Sequence, residues 1–204
     1  MDPKHLLEVF GVAGLLCIIF AETGLLIGFF LPGDSLLVFA GLVAATPSAS
    51  KVHVNLAVVL VGCSIAAIAG AQTGYWIGVK AGPAIFRRPD SRFFKREYVE
   101  KAHSYFDRYG PKTIVVARFV PIVRTFANVV AGVGNMPARA FATFNVAGGL
   151  LWVVGVTLLG YALGKNIPNA KDHLLVIEGI IIALSLVPVG LEVLRSRRSA
   201  SSRS

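Results

Sequence analysis

Four charged side chains stand inside otherwise apolar sequence. Glu22 and Asp34 lie deep in the stretch Leu6–Ala45, which also carries Glu8 near its start, and Arg118 and Arg124 lie in the stretch Thr113–Met136. A bare charge at mid-bilayer costs at least about 2.5–3.5 kcal/mol on insertion scales, so each group needs a partner, a proton or water. Arginine stays charged, because its pKa lies above about 12. A desolvated carboxylate can take up a proton instead. That asymmetry divides the labour. Arg118 and Arg124 suit a permanent anion, and the planar guanidinium fork matches phosphate. Glu22 and Asp34 suit proton carriage linked to the anion's movement. The same four residues can equally pair permanently, hold two segments together and move nothing. Sequence leaves both readings open.

Lesser polar candidates are Gln72, Asn128 and Asn145. Each can line a polar path or satisfy the backbone of a broken helix. Trp76 and Trp152 read as packing or interfacial residues, and Glu178 as a residue that snorkels to a membrane edge. His5, His53, His103 and His173 form no ligand spacing. Cys17 and Cys63 sit in apolar runs and read as buried thiols rather than a disulfide framework. Metal and cofactor are therefore not expected. No anchored nucleophile is visible, so an enzyme is not expected either. The glycines from Gly70 to Gly82 lack the strand context of a dinucleotide fingerprint.

The elements that must position these residues follow from apolar length. Val54–Val79 is 26 residues without a formal charge and Ala140–Gly164 is 25. Each exceeds the roughly 20 residues a helix needs to cross the hydrocarbon layer. Leu174–Leu191 supplies 18 more, with only Glu178 charged. The two charged stretches are different. Pro32-Gly33 interrupts the first and Pro121 the second, and proline breaks the helical hydrogen-bond ladder. Such a break at membrane depth is tolerated only where protein or a watery cavity satisfies the backbone. Both stretches therefore read as helix–break–helix hairpins that enter the membrane and return. Ser35–Ala45 is too short to span, with Asp34 or Ser35 as its N-cap. Val9–Leu31 is long enough to cross, yet equally serves as one arm of a hairpin. Acidic Asp2 and Glu8 argue against a cleaved signal peptide, so the N-terminal segment is expected to be retained.

Composition supports a membrane chain. The apolar fraction is 55% and the charged fraction 15%, against about a quarter charged in soluble domains. Disordered, fibrous and coiled-coil classes are excluded, and a soluble enzyme domain is disfavoured. The net charge is +9, but its placement argues against nucleic acid as a partner. Nine basic residues lie between Lys80 and Lys112 and four from Arg195 onward, as in basic loops between membrane spans. Those clusters are expected to be cytoplasmic, including the C-terminus. The two hairpins then approach from opposite faces. Between the halves, Glu97–Tyr109 reads as an amphipathic helix in the headgroup plane. One membrane domain over 1–194 is expected: a first half at about 6–80, a linker at 81–112, a second half at 113–164 and a final span at 173–194. Residues 195–204 form a basic tail.

The halves repeat in outline. Pro32 precedes Gly74-Tyr75-Trp76-Ile77-Gly78, and Pro121 precedes Gly160-Tyr161-Ala162-Leu163-Gly164. Each half thus carries a broken charged hairpin and then a span with Gly-Tyr-x-x-Gly. With the assigned orientations the repeat is inverted, a recurrent transporter plan with its site near the midplane. Gly62, Ala66, Gly70, Gly74, Gly78 and Gly82 recur every four residues and form a stripe for close helix approach. The stripe serves packing within the chain or, alternatively, a homo-oligomer seam.

The motifs carry a family likeness. Phe20-Ala-Glu22-Thr-Gly24 with Phe30-Leu-Pro32-Gly33-Asp34-Ser-Leu-Leu resembles the first hairpin of the DedA membrane proteins. Ala117-Arg118-Phe-Val-Pro121-Ile-Val-Arg124-Thr and Ala131-Gly132-Val-Gly134-Asn-Met136 resemble the second. Phe144-Asn145, Gly148-Gly149 and Trp152 continue the likeness, which covers about Leu6 to Leu194. The resemblance implies an all-α integral protein of the bacterial cytoplasmic membrane that moves an anionic lipid. Some family members are implicated in returning undecaprenyl phosphate across that membrane. It further implies that Glu22, Asp34, Arg118 and Arg124 are needed for function and tied to the proton-motive force. An uncoupled scramblase, a small-ion transporter and a structural membrane protein are the alternatives.

Overall fold

The two long uncharged runs become the two long helices. The structure, a computed structural model, describes residues 3–25, 33–46, 54–87 and 110–166. Regular structure among the described residues is helical throughout: α1 (Pro3–Gly24), α2 (Gly33–Ala45), α3 (Leu56–Arg87), α4 (Thr113–Ala117), α5 (Pro121–Val133) and α6 (Ala138–Asn166). Pro32, the Glu97–Tyr109 segment, the Leu174–Leu191 span and the tail from Arg195 lie outside the described residues.

The portion Leu56–Gly82 of α3 and the whole of α6 are long and apolar enough to cross a membrane. Asn55 starts α3, its side-chain oxygen accepting from the amides of Ala57 (2.9 Å) and Val58 (3.4 Å). The helix continues past Gly82 to Arg87, into the basic stretch assigned to the linker. The other helices are shorter. Within α1 the backbone turns at Gly11 (φ 59°, ψ −156°), so its apolar arm is Gly11–Gly24. At 1.5 Å per residue, that arm, α2 and α5 each reach only about 20 Å, against about 30 Å of hydrocarbon. The length of Val9–Leu31 is therefore not used as one continuous helix.

The break before α5 falls where Pro121 predicts, whereas α2 starts at Gly33, so that Asp34 and Ser35 lie inside its first turn rather than at its N-cap. α4 ends at Ala117, the chain turns through Arg118-Phe119-Val120, and Val120 is extended (φ −107°, ψ 108°) before Pro121 opens α5. Proline is well suited to a first helical turn, where its missing amide has no partner to lose. α2 begins at Gly33 with Asp34 in its first turn. Its residues from Ser35 to Val43 are all buried, as expected of a helix that is apolar all round. It packs with Leu15 and Ile19 of α1, Cys63 and Ala67 of α3, and Val153 and Val156 of α6. A smaller cluster of Ala71, Tyr75, Ile114, Ala131, Met136 and Phe141 lies at the α5–α6 turn. Val61 and Ile65 of α3 and Leu151 of α6 are exposed, giving the long helices an apolar exterior.

Packing follows an exchange. The first arm of each broken pair lies on the long helix that follows it: α1 on α3, α4 on α6. The second arm crosses over: α2 lies on α6, α5 on α3. The repeated Gly-Tyr-x-x-Gly motif sits at both crossovers. A side chain at Gly78 would collide with the Val129 backbone of α5, and one at Gly160 with the Val38 backbone of α2. Gly82 lies near Val133, and Gly164 near Leu42. Each second arm thus runs outward alongside the C-terminal half of a long helix. Tyr75 stacks on Phe141 (centroids 4.5 Å apart), while Ile68 meets Gly149, so α3 and α6 run antiparallel. The second arms therefore run in opposite directions. The small-residue stripe of α3 is covered within the chain, by α1 at Gly62 and Gly70 and by α5 at Gly78.

Gly78→Val and Gly160→Val should each destabilise the folded protein by about 1–3 kcal/mol or more, since backbone rather than a movable side chain is in the way. Gly155, which faces open space, should accept alanine without loss. Thermal unfolding of the detergent-purified variants checks the contrast; a Gly78→Val protein as stable as Gly155→Ala would contradict the crossover packing.

Candidate functional site

The helix breaks collect the charged residues. Glu22 is two residues from the end of α1, Asp34 is the second residue of α2, Arg118 follows α4, and Arg124 lies in the first turn of α5. Each long helix adds to this centre near its middle.

Arg124 is the hub. Its Nη1 donates to Asp34 Oδ1 at 2.8 Å, and its Nη2 donates to Glu22 Oε1. The guanidinium carbon lies 4.6 Å from the ring centroid of Trp152, a cation–π distance. Trp152 also donates its indole N–H to the same Asp34 Oδ1 at 2.9 Å. Arg124 is 7% exposed and Glu22 2%, whereas the Asp34 side chain retains 17%. Gly33 is needed beside this pair: a Cβ there would overlap the Glu22 carboxylate.

Arg118 is placed differently. It is 4% exposed and has no carboxylate partner among the described residues. Its Nη2 donates to Asn145 Oδ1 and, at 3.5 Å, to the Ala67 carbonyl. Its Nε and Nη1 make no hydrogen bond among the described residues. Gly148 and Gly149 give it room, with hypothetical Cβ positions 3.1 Å from Arg118 Cδ and 3.4 Å from its Nη1. Buried cations are ordinarily paired, so two donors with no acceptor among the described residues set Arg118 apart.

The asparagines hold broken backbone to the rest. Asn128 Nδ2 donates to the Thr23 carbonyl at 2.9 Å, satisfying an acceptor at the end of α1. Asn145 Nδ2 donates to the Ile68 carbonyl at 3.0 Å while its oxygen holds Arg118. Gln72 is half-buried on α3 and makes none of the contacts that join this centre. Trp152 is the residue whose part the sequence did not reveal. The available signal was spacing: Asn145 and Trp152 are seven apart, on one face of α6. Among the described residues no group of His, Cys, Asp and Glu is arranged to hold a metal.

The geometry separates the two arginines, and stability should follow. Arg124→Ala leaves the buried Glu22 carboxylate and the partly buried Asp34 carboxylate without their cation and should cost about 3–5 kcal/mol. Arg118→Gln removes a charge that has no carboxylate partner and should leave the melting temperature nearly unchanged. Melting of both proteins in detergent tests this, and equal losses would contradict the division.

Comparison with known proteins finds relatives described as membrane proteins. The VTT domain profile matches residues 31–162. Protein DedA of Escherichia coli K12 is 46% identical over 204 residues, covering 97% of this chain and 91% of that protein. An uncharacterized membrane protein of Mycobacterium tuberculosis is 44% identical over 209 residues, covering 98% and 90%. Inner membrane protein YghB of Escherichia coli K12 is 34% identical over 193 residues, covering 93% and 82%. No solved structure matches the chain.

Proposed function

The chain belongs to the DedA family of VTT-domain membrane proteins, and on that premise we propose that it carries an anionic lipid, undecaprenyl phosphate, across the bacterial cytoplasmic membrane. Membership makes it a multi-pass membrane protein of a transporter family, not an enzyme. The lipid, the coupling and the residue roles are our reading.

The observation that carries it is the buried Arg118, with two guanidinium nitrogens unpartnered among the described residues. A lipid phosphate entering the polar centre supplies the missing acceptor while its tail stays in the membrane. Arg124 is already committed to Glu22 and Asp34, and so ties the first broken pair of helices to the second. Protonation of either carboxylate weakens that tie. In this reading the short arms enter the bilayer from opposite faces and return, and loosening the tie lets the site open to one side or the other. Their lengths of about 20 Å and their opposed directions support re-entry. No covalent step is required. Asn128 and Asn145 brace the backbone around the path, and Gln72 is not assigned a contact with the lipid.

Transport of labelled undecaprenyl phosphate in proteoliposomes, with and without a pH gradient, tests the proposal. Wild-type protein should move the lipid faster with the gradient, and Arg118→Ala at matched reconstitution should abolish movement. Arg118→Lys keeps the charge but loses the fork, and should lower transport by about tenfold, the worth of one charge-assisted hydrogen bond. Gradient-independent movement would instead identify an uncoupled scramblase. No lipid movement by folded wild-type protein would overturn the reading.

A further inference from the structure

Trp152 is 2% exposed and makes two polar contacts at once. Its N–H donates to Asp34 Oδ1 (2.9 Å), and its ring face lies 4.6 Å from the Arg124 guanidinium carbon. Arg124 donates to that same oxygen (2.8 Å). The indole therefore grips both members of one ion pair. A phenyl ring offers the face without the N–H, and an aliphatic side chain offers neither. One helical face of α6 also carries Asn145, which holds Arg118. A single rigid helix thus fixes both arginines, in different ways.

We propose that Trp152 is a positioning residue of the transport site, holding Arg124 on Asp34 so that Arg118 alone is offered to the anion. The proposal rests on the transport reading above, and adds a residue that reinforces the difference between the two guanidinium groups. Without the indole, Arg124 is held by Glu22 and Asp34 alone and turns more readily towards a bound phosphate. Two arginines would then grip the anion, binding it more tightly and releasing it more slowly. Binding the ground state more tightly without equal gain at the transition state slows turnover.

Transport kinetics of Trp152→Phe and Trp152→Leu test the consequence. In Trp152→Leu the half-saturating concentration of undecaprenyl phosphate and the maximal rate should both fall by about thirtyfold, the scale of one desolvated cation–π contact. Trp152→Phe, which keeps the ring face, should recover most of both. A merely structural role lowers the maximal rate without lowering half-saturation, and that pattern would overturn the proposal.

A second measurement does not depend on transport. The chain has two tryptophans, so a Trp76→Phe background leaves the Trp152 indole N–H as a single resonance in the 15N spectrum of detergent-solubilised protein. Asp34→Asn should displace that resonance, and an unmoved resonance would overturn the contact on which the proposal stands. If wild-type protein moves no lipid while the resonance does respond to Asp34→Asn, the transport reading fails and the positioning of Asp34 by Trp152 survives.

Discussion

A guanidinium taken out of water must recover its lost hydration from the groups around it, and Arg124 does so from three helices at once. Glu22 comes from α1, Asp34 from α2, and the indole of Trp152 from α6. The demand is steep because charge burial costs several kcal/mol per ion before pairing. It fixes the placement of the helix breaks. Glu22 and Asp34 can both reach Arg124 only because α1 ends and α2 begins beside it. Sliding either arm by one turn, about 5.4 Å, would carry its carboxylate out of hydrogen-bond range.

Bringing charges that close requires backbones to come close as well. Lipid tails are as apolar as leucine, so helix association in a membrane relies on close packing and interhelical hydrogen bonds. The glycines supply the closeness. Gly33 admits the Glu22 carboxylate, Gly78 admits α5, Gly160 admits α2, and Gly148-Gly149 admit Arg118. The crossed-over arms then link the halves, since each long helix holds an arm from both. Asn128 and Asn145 complete the arrangement by donating across it to backbone carbonyls. A broken helix is thereby tolerated in an apolar setting, because neighbouring protein meets the hydrogen-bonding groups that the break exposes.

The contrast between the two arginines gives this centre its functional meaning. They lie six residues apart in one motif and look alike in sequence. Arg124 meets two carboxylates, whereas Arg118 has only neutral acceptors among the described residues. One guanidinium therefore ties helices together, and the other keeps two donors without an acceptor among the described residues. The two arginines differ here only in what the rest of the chain brings to them.

Much of this was legible from local pattern. The uncharged runs Val54–Val79 and Ala140–Gly164 announced α3 and α6, because a span is set by length and polarity. Pro121 announced the start of α5, because a missing amide and a fixed φ act on the adjacent backbone. Glu22, Asp34, Arg118 and Arg124 announced a centre, because charge in apolar sequence has to be compensated. Which charge compensates which was not legible. Arg124 meets partners 90 and 102 residues away, and Trp152 meets Asp34 118 residues away. Those choices rest on differences of a few ångströms between helices that approach one another through glycines. The sequence by itself determined that four charges had to be reconciled inside a membrane-type fold; only the tertiary structure decided that, among the described residues, Arg124 meets carboxylates and Arg118 does not, because pairing depends on distance in space rather than on residue type.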